Sequence, residues 1–215
     1  MAEPQRTPSG RQAVRRQAAG EELLFLRRWL AHPLKVGALL PSSPFLGRLV
    51  AKHVRANPDE YVVELGAGTG TVTKTLLQSG IPAARLFVVE IDSDLCSFLR
   101  RELPEAQIIQ GDATKLHDLL PPEALGRIRT VVSGIPMLPM PVELQRLMLD
   151  SWFGVIAPGG KILQYTYSLA SPIPEAKHGL KGKRCGIEMR NVPPAWVWSY
   201  ERSGTPATRG TMLAA

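Results

Sequence analysis

Glu64-Leu65-Gly66-Ala67-Gly68-Thr69-Gly70 is the segment of this 215-residue chain best suited to chemistry. Glycines let a backbone turn sharply and let a ligand lie against the main chain. The apolar run Tyr61–Leu65 before the loop reads as a buried strand, and Thr71–Gln78 after it as a helix. The loop therefore occupies a first strand-to-helix turn, where doubly wound sheets bind ligands beyond their strand ends. Glu90 closes the next apolar run, about 20 residues further on, where an acid can hold both hydroxyls of a ribose. Gly111-Asp112-Ala113 follows a third run, and a carboxylate there can accept from an adenine amino group. Three successive strand ends thus aim suitable groups at one nucleoside. The glycines alternate as Gly66, Gly68 and Gly70, unlike the G-x-G-x-x-G loop that seats a pyrophosphate on a helix N-terminus. Glu64 would repel a pyrophosphate and suits a ligand carrying an ammonium. There is no Walker lysine.

Elements that position these groups alternate between strand and helix. Arg85–Glu90, Gln107–Gln110, Thr130–Ser133 and Lys161–Tyr167 read as further strands. Asp94–Glu102, capped by Asp94, Lys115–Leu120 and Val142–Phe153 read as helices, and Ala157-Pro158-Gly159-Gly160 as a turn. This βαβ pattern implies a parallel sheet with helices on both faces. Gly186–Val192 and Ala195–Glu201, joined by Pro193-Pro194, read as an antiparallel hairpin at one sheet edge. Ser171–Arg184 reads as a Pro/Lys-rich loop before it. Upstream, Ser42 or Ser43 can cap a helix with Pro44 in its first turn and Phe45–Arg55 as its body. Glu21–His32 reads as another helix, with Leu23, Leu26, Trp29 and Leu30 on one side and Arg27 and Arg28 opposite. The expected organisation is a basic arm with helices over 1–57, a core over 58–202 and a loose tail over 203–215.

Net charge is +7, which favours an anionic partner: nucleic acid, an anionic membrane or an acidic substrate. Cys96 and Cys185 form no metal-ligand pattern and read as reduced thiols; no metal is expected. Met1–Gly20 is polar and basic, and no run approaches the roughly 18 apolar residues of a membrane span. A cytoplasmic location is expected.

The glycine loop with Glu64, Glu90 and Asp112 resembles that of class I methyltransferases, in which it holds the methionine part of S-adenosylmethionine. That resemblance covers Tyr61–Glu201. It implies an α/β fold with a doubly wound, seven-stranded, mostly parallel sheet (Rossmann-like), here with an N-terminal helical extension. Glu64, Gly66, Ala67, Gly68, Thr69, Glu90, Ile91, Asp112, Ala113 and Ser133 are the expected cofactor residues, with S-adenosylhomocysteine as product.

From about Glu21 to Arg202 the chain resembles bacterial phospholipid N-methyltransferases. The likeness is carried by Phe25–Leu30, Val36–Ser43, Ser133-Gly134-Ile135-Pro136, Gln164–Ser168, and Asn191-Val192-Pro193-Pro194-Ala195 with Trp198. It implies stepwise methylation of phosphatidylethanolamine to phosphatidylcholine. The alternatives are ornithine-lipid N-methylation and methylation of ribosomal RNA adenine N6. Base-methylating enzymes carry Asn/Asp-Pro-Pro-aromatic where this chain has Ser133 to Pro136, so nucleic acid is not the expected partner. Tyr165 and Tyr167, spaced i, i+2, can face one side of the sheet and stabilise a cationic amine; with Ser133 and Pro136 they are the expected catalytic set. The proton acceptor stays open between water, a tyrosine and a histidine, of which His32 and His178, unlike His53 and His117, lie in substrate-side segments. Lys177, Lys181, Lys183 and Arg184 could meet a lipid phosphate. The basic arm and the Leu23/Trp29 helix could lie in an anionic bilayer interface. A monomer, peripheral on the inner face of the membrane, is expected.

Overall fold

A computed structural model describes residues 42–204. The expected arm, the Glu21–His32 helix, His32 and most of the tail lie outside the described residues.

Helix α1 (Pro44–His53) begins where the sequence suggests: Ser43 is its cap, its side chain accepting from the Leu46 amide, and Pro44 occupies the first turn. Strand β1 (Tyr61–Leu65) then leads through the glycine loop into α2 (Thr71–Gln78). There follow β2 (Leu86–Glu90), α3 (Ser93–Glu102), β3 (Gln107–Gln110), α4 (Leu116–Leu119), β4 (Ile128–Ser133), α5 (Val142–Val155), β5 (Ile156–Thr166), α6 (Glu175–His178), β6 (Leu180–Glu188) and β7 (Ala195–Arg202).

The strands form one seven-stranded sheet in the order β3-β2-β1-β4-β5-β7-β6. The first five run parallel; β7 inserts antiparallel between β5 and β6. Both β1 and β2 are buried at every position, which explains their unbroken apolar runs. One face carries Val62, Leu86, Val88, Val132, Leu163 and Val197, packed under Leu46, Val50, Val72, Leu76 and Leu99 of α1 to α3. Cross-strand register places Glu64 level with Val88 and Val132 on that face. Alternation puts Glu90 and Tyr165 there too, and turns Ser133 and Gln164 to the opposite face.

Several expected boundaries move. The cap of α3 is Asp92, whose carboxylate accepts from the Asp94 and Leu95 amides; Asp94 is already helical. Ala157–Gly160 is no separate turn but an irregularity inside β5, where Ile128 pairs Ile156 and Thr130 already pairs Lys161. Ser171–Arg184 is not a loop throughout: it contains α6 and the first half of β6. Its lysines hid this strand, because Lys181, Lys183 and Arg184 sit on the exposed sheet edge, where charge suits an unpaired strand.

Trp152 of α5 is fully buried, and its indole Nε1 donates to the Ala113 carbonyl at 3.0 Å, tying the helix to the turn after β3. Trp152→Ala removes this packing and that donor. It is expected to lower stability by about 3–5 kcal/mol in urea unfolding; a loss below about 1 kcal/mol would mean the site collapses around the smaller residue.

Candidate functional site

The glycine loop is built as its sequence demands. Gly66, Gly68 and Gly70 have φ of 70°, 56° and 78°, a region that side chains with a Cβ rarely enter. The loop is pinned to its neighbours: the Gly66 amide donates to the Val89 carbonyl and the Gly134 amide to the Leu65 carbonyl, each at 2.9 Å.

Glu90, at the end of β2, folds its carboxylate back onto the main chain. Oε2 accepts from the Gly68 amide at 3.1 Å, and Oε1 from the Ile91 and Asp92 amides at 2.8 and 3.1 Å. One lone pair of Oε2 is left. To hold two ribose hydroxyls, Glu90 must share or release the Gly68 amide. Asp112 caps the turn Ala113–Lys115 by accepting from the Thr114 amide at 2.9 Å, with Ala113 buried beside it. The structure therefore brings together Gly66 to Thr69, Glu90, Ile91, Asp112 and Ala113 at neighbouring ends of β1, β2 and β3, as expected from their spacing.

Glu64 is the unusual member. It is fully buried, and neither carboxylate oxygen has a hydrogen-bond partner; the neighbouring Thr73 hydroxyl also has none. Burial, reinforced by the Glu90 charge and opposed by Thr73, pushes its pKa up to about 7. An ionised carboxylate without donors is costly in such a place, and a cation brought against it would remove the cost. The orphaned acid, beside a loop whose glycines leave its main chain uncovered, fits a cofactor with a cationic amino-acid end. That is the character of S-adenosylmethionine. Among the described residues no cluster of three or more His, Cys, Asp or Glu could hold a metal ion.

On the acceptor side, the Tyr165 ring crosses Gly134 so closely that a Cβ there would run into its hydroxyl and come within 2.9 Å of the Gly66 carbonyl. Burial and the Glu64 charge raise the Tyr165 pKa, while Ser42 opposes them. Tyr167 lies two residues on, on the same side, just past the end of β5. Ser133 is placed differently from its three companions. It is fully buried on the opposite face, and its Oγ accepts from the Ile135 amide at 3.2 Å. Pro136 follows in the same partly buried turn.

His178 does not join this group. Gln145 donates through Nε2 to the Met137 and Met140 carbonyls, so its Oε1 is left to accept from His178 Nε2 at 3.0 Å. Nε2 therefore carries the proton. Burial and the nearby Arg146 keep the ring's pKa below the usual histidine value. The histidine braces the segment after β4. Asn191 does similar work on the other side: it is almost fully buried, accepts from the Ser43 amide at 2.9 Å and donates to the Pro193 carbonyl at 2.8 Å. It clamps the start of α1 to the β6–β7 connection. Nothing in the periodicity marked Gln145, and Asn191 stood out only through the Asn-Val-Pro-Pro-Ala resemblance.

Residues 62–160 match the model of a methyltransferase domain family. The ornithine lipid N-methyltransferase of Singulisphaera acidiphila is 34% identical over 146 residues, which are 66% of this chain and 76% of that protein. The ribosomal RNA small subunit methyltransferase A of Thermosynechococcus vestitus is 39% identical over 99 residues, 45% of this chain but only 34% of that protein. Among solved structures, the precorrin-6y C5,15-methyltransferase of Geobacter metallireducens superposes with a TM-score of 0.54 at 15% identity, covering 74% of this chain and 87% of that one. At that identity the likeness speaks for the fold alone.

Two outcomes test the site. Gly134→Ala should lower stability by about 1–3 kcal/mol through overpacking, and Tyr165→Phe, by removing the clashing hydroxyl, should recover part of it; no recovery in the double variant would relocate the strain to Gly66. Glu64 binds more protons folded than unfolded between its ordinary value of 4.5 and about 7. Its contribution is therefore fully favourable below 4.5 and declines as pH rises to about 7, by about 3 kcal/mol. Ligand-free protein should lose about 2.5 kcal/mol more stability from pH 5 to pH 8 than Glu64→Gln does, read by urea unfolding; parallel pH profiles would show the carboxyl to be hydrated.

Proposed function

Because the chain belongs to the class I S-adenosylmethionine-dependent N-methyltransferases, we propose that it methylates the headgroup amine of a membrane lipid. The substrates in this reading are phosphatidylethanolamine and its methylated intermediates, leading to phosphatidylcholine. The observation that carries it is the similarity to a lipid N-methyltransferase along most of that relative's length. No helix among the described residues is long and apolar enough to cross a membrane. The enzyme would thus act as a peripheral protein on the inner face of the bilayer.

S-adenosylmethionine, when bound, supplies a methyl group on a sulfonium: the S–CH3 bond breaks as the N–CH3 bond forms, its electron pair stays on sulfur, and S-adenosylhomocysteine leaves. The chain's own part is positioning. Glu64, ionised by the approach of a cation, fixes the amino-acid end. Glu90 takes a ribose hydroxyl on its free lone pair, and Asp112 lies beside the base. Tyr165 and Tyr167 present aromatic faces to the amine, which becomes more cationic as it is methylated. Tyr165 stays protonated at neutral pH, because burial and Glu64 both disfavour the phenolate. It therefore orients rather than deprotonates, and the amine's proton goes to water.

The relative's own name gives the second reading, an ornithine lipid as acceptor. Both acceptors present an amine on an amphiphile. Ribosomal RNA is less well supported. The matched RNA methyltransferase is covered over only 34% of its length, and Ser133 offers no carboxamide or acid to hold a base amine.

The purified protein is expected to transfer label from methyl-labelled S-adenosylmethionine into phosphatidylethanolamine in vesicles, and Tyr165→Phe to retain much of that activity. Label in ornithine lipid alone would replace the acceptor. Label only in ribosomal RNA would refute the lipid reading.

A further inference from the structure

The strand-end surface around the site is divided in two. On the cofactor half, the segments after β2 and β3 carry three acids, Asp92, Asp94 and Asp112, against one cation, Lys115. On the acceptor half the surface is apolar and basic. Among the described residues, every exposed large hydrophobic side chain except Leu147 of α5 lies at this end of the acceptor strands. Leu138 follows β4 and Leu169 follows β5. Ile187 is the last but one residue of β6, and Met189 and Val192 belong to the β6–β7 connection. Three of them are nearly free of neighbours: Leu169 is 74% exposed, Met189 66% and Val192 76%. The three come from two separate connections, so no single secondary-structure pattern accounts for their exposure.

Cations flank them. The guanidinium of Arg190 stacks on Phe45 at 4.0 Å and that of Arg48 on the same ring at 4.7 Å. Arg190 is neutralised by Glu188, with bonds of 2.9 and 3.0 Å, whereas exposed Arg48 makes no ion pair within 4 Å among the described residues. Farther down the β6 edge, away from these tips, Lys181, Lys183 and Arg184 add positive charge. Apolar tips level with an aromatic ring held between arginines suit the boundary between acyl chains and anionic headgroups.

We propose that this acceptor half is a bilayer-contact face, which seats Leu169, Met189 and Val192 in an anionic membrane while the acidic cofactor half stays in water. The proposal rests on the lipid reading above and adds an orientation to it. The mouth between β4 and β5 faces the headgroup layer, so an amine reaches Tyr165 without the lipid leaving its leaflet. The acids after β2 and β3 oppose the reverse orientation, because an anionic surface repels them.

Flotation with vesicles of phosphatidylethanolamine and phosphatidylglycerol tests this. The combined variant Leu169→Glu, Met189→Glu, Val192→Glu should bind at least about tenfold more weakly than the unaltered chain, and Leu147→Glu should bind normally. Both should keep cofactor affinity in calorimetry, which shows that they fold. Both should also methylate a short-chain phosphatidylethanolamine dissolved as monomers. Undiminished flotation of the triple variant would overturn the proposal, as would loss of a wild-type dimer in light scattering with flotation unchanged, which would give the face to a second copy. Failure of the unaltered chain to methylate the dissolved lipid, with flotation still dependent on the three residues, would refute phosphatidylethanolamine as the acceptor and leave the contact face standing.

Discussion

A carboxylate buried without a donor is the constraint around which the site is arranged. Glu64 lies near the end of β1, on a sheet face whose packed core is mostly valine and leucine. In the absence of ligand it lowers its cost by taking a proton near neutrality, and it exerts the same pressure on its surroundings: it disfavours ionisation of Tyr165 and is itself raised by Glu90. All three groups share one face of one sheet. The parallel register of β1, β2, β4 and β5 enforces this, because a slip of one residue would turn each to the other side.

That arrangement separates two kinds of work among acids of like charge. Glu90 is satisfied by three backbone amides and stiffens the loop it faces. Glu64 accepts no hydrogen bond and has only the nearby Thr73 to offset its burial; in the proposed function it meets a cation. The first stabilises the fold and the second sets stability aside for binding, a pattern that recurs where strain is held at functional sites. A ligand with a hydroxylated ribose at one end and a cationic amino acid at the other answers both acids at once.

The core was legible because its chemistry and periodicity agree. The apolar runs of β1 and β2 are unbroken because both faces are covered, and Glu64, Glu90 and Asp112 fall at strand ends whose positions those runs determine. The edge was less so. Lys181, Lys183 and Arg184 read as loop because an edge strand is recognised by pairing with β7, which no local pattern records. Asp94 lost the cap to Asp92 for a similar reason: both are competent, and only the path of the chain leaving β2 decides between them. Ser133 was expected in one catalytic set with Tyr165; strand alternation places it on the opposite face of the sheet, where its hydroxyl serves the turn to Ile135.

The braces outside the core explain how two distant parts of the chain can meet one amine. Asn191 is separated from Ser43 by 148 positions and holds the start of α1 against the β6–β7 connection. Ser42, adjacent to that bond, acts on Tyr165. On the other flank, His178 through Gln145 fixes the carbonyls of Met137 and Met140, just beyond Gly134 to Pro136. Both clamps are buried side-chain amides with several partners, so each loses more than one hydrogen bond if its segment shifts. The acceptor side is therefore held from both ends, while Leu169, Met189 and Val192 at the tips of its loops stay exposed. A held floor beneath exposed tips suits the proposed function, in which the sheet must bring its reacting groups to an amine at a surface.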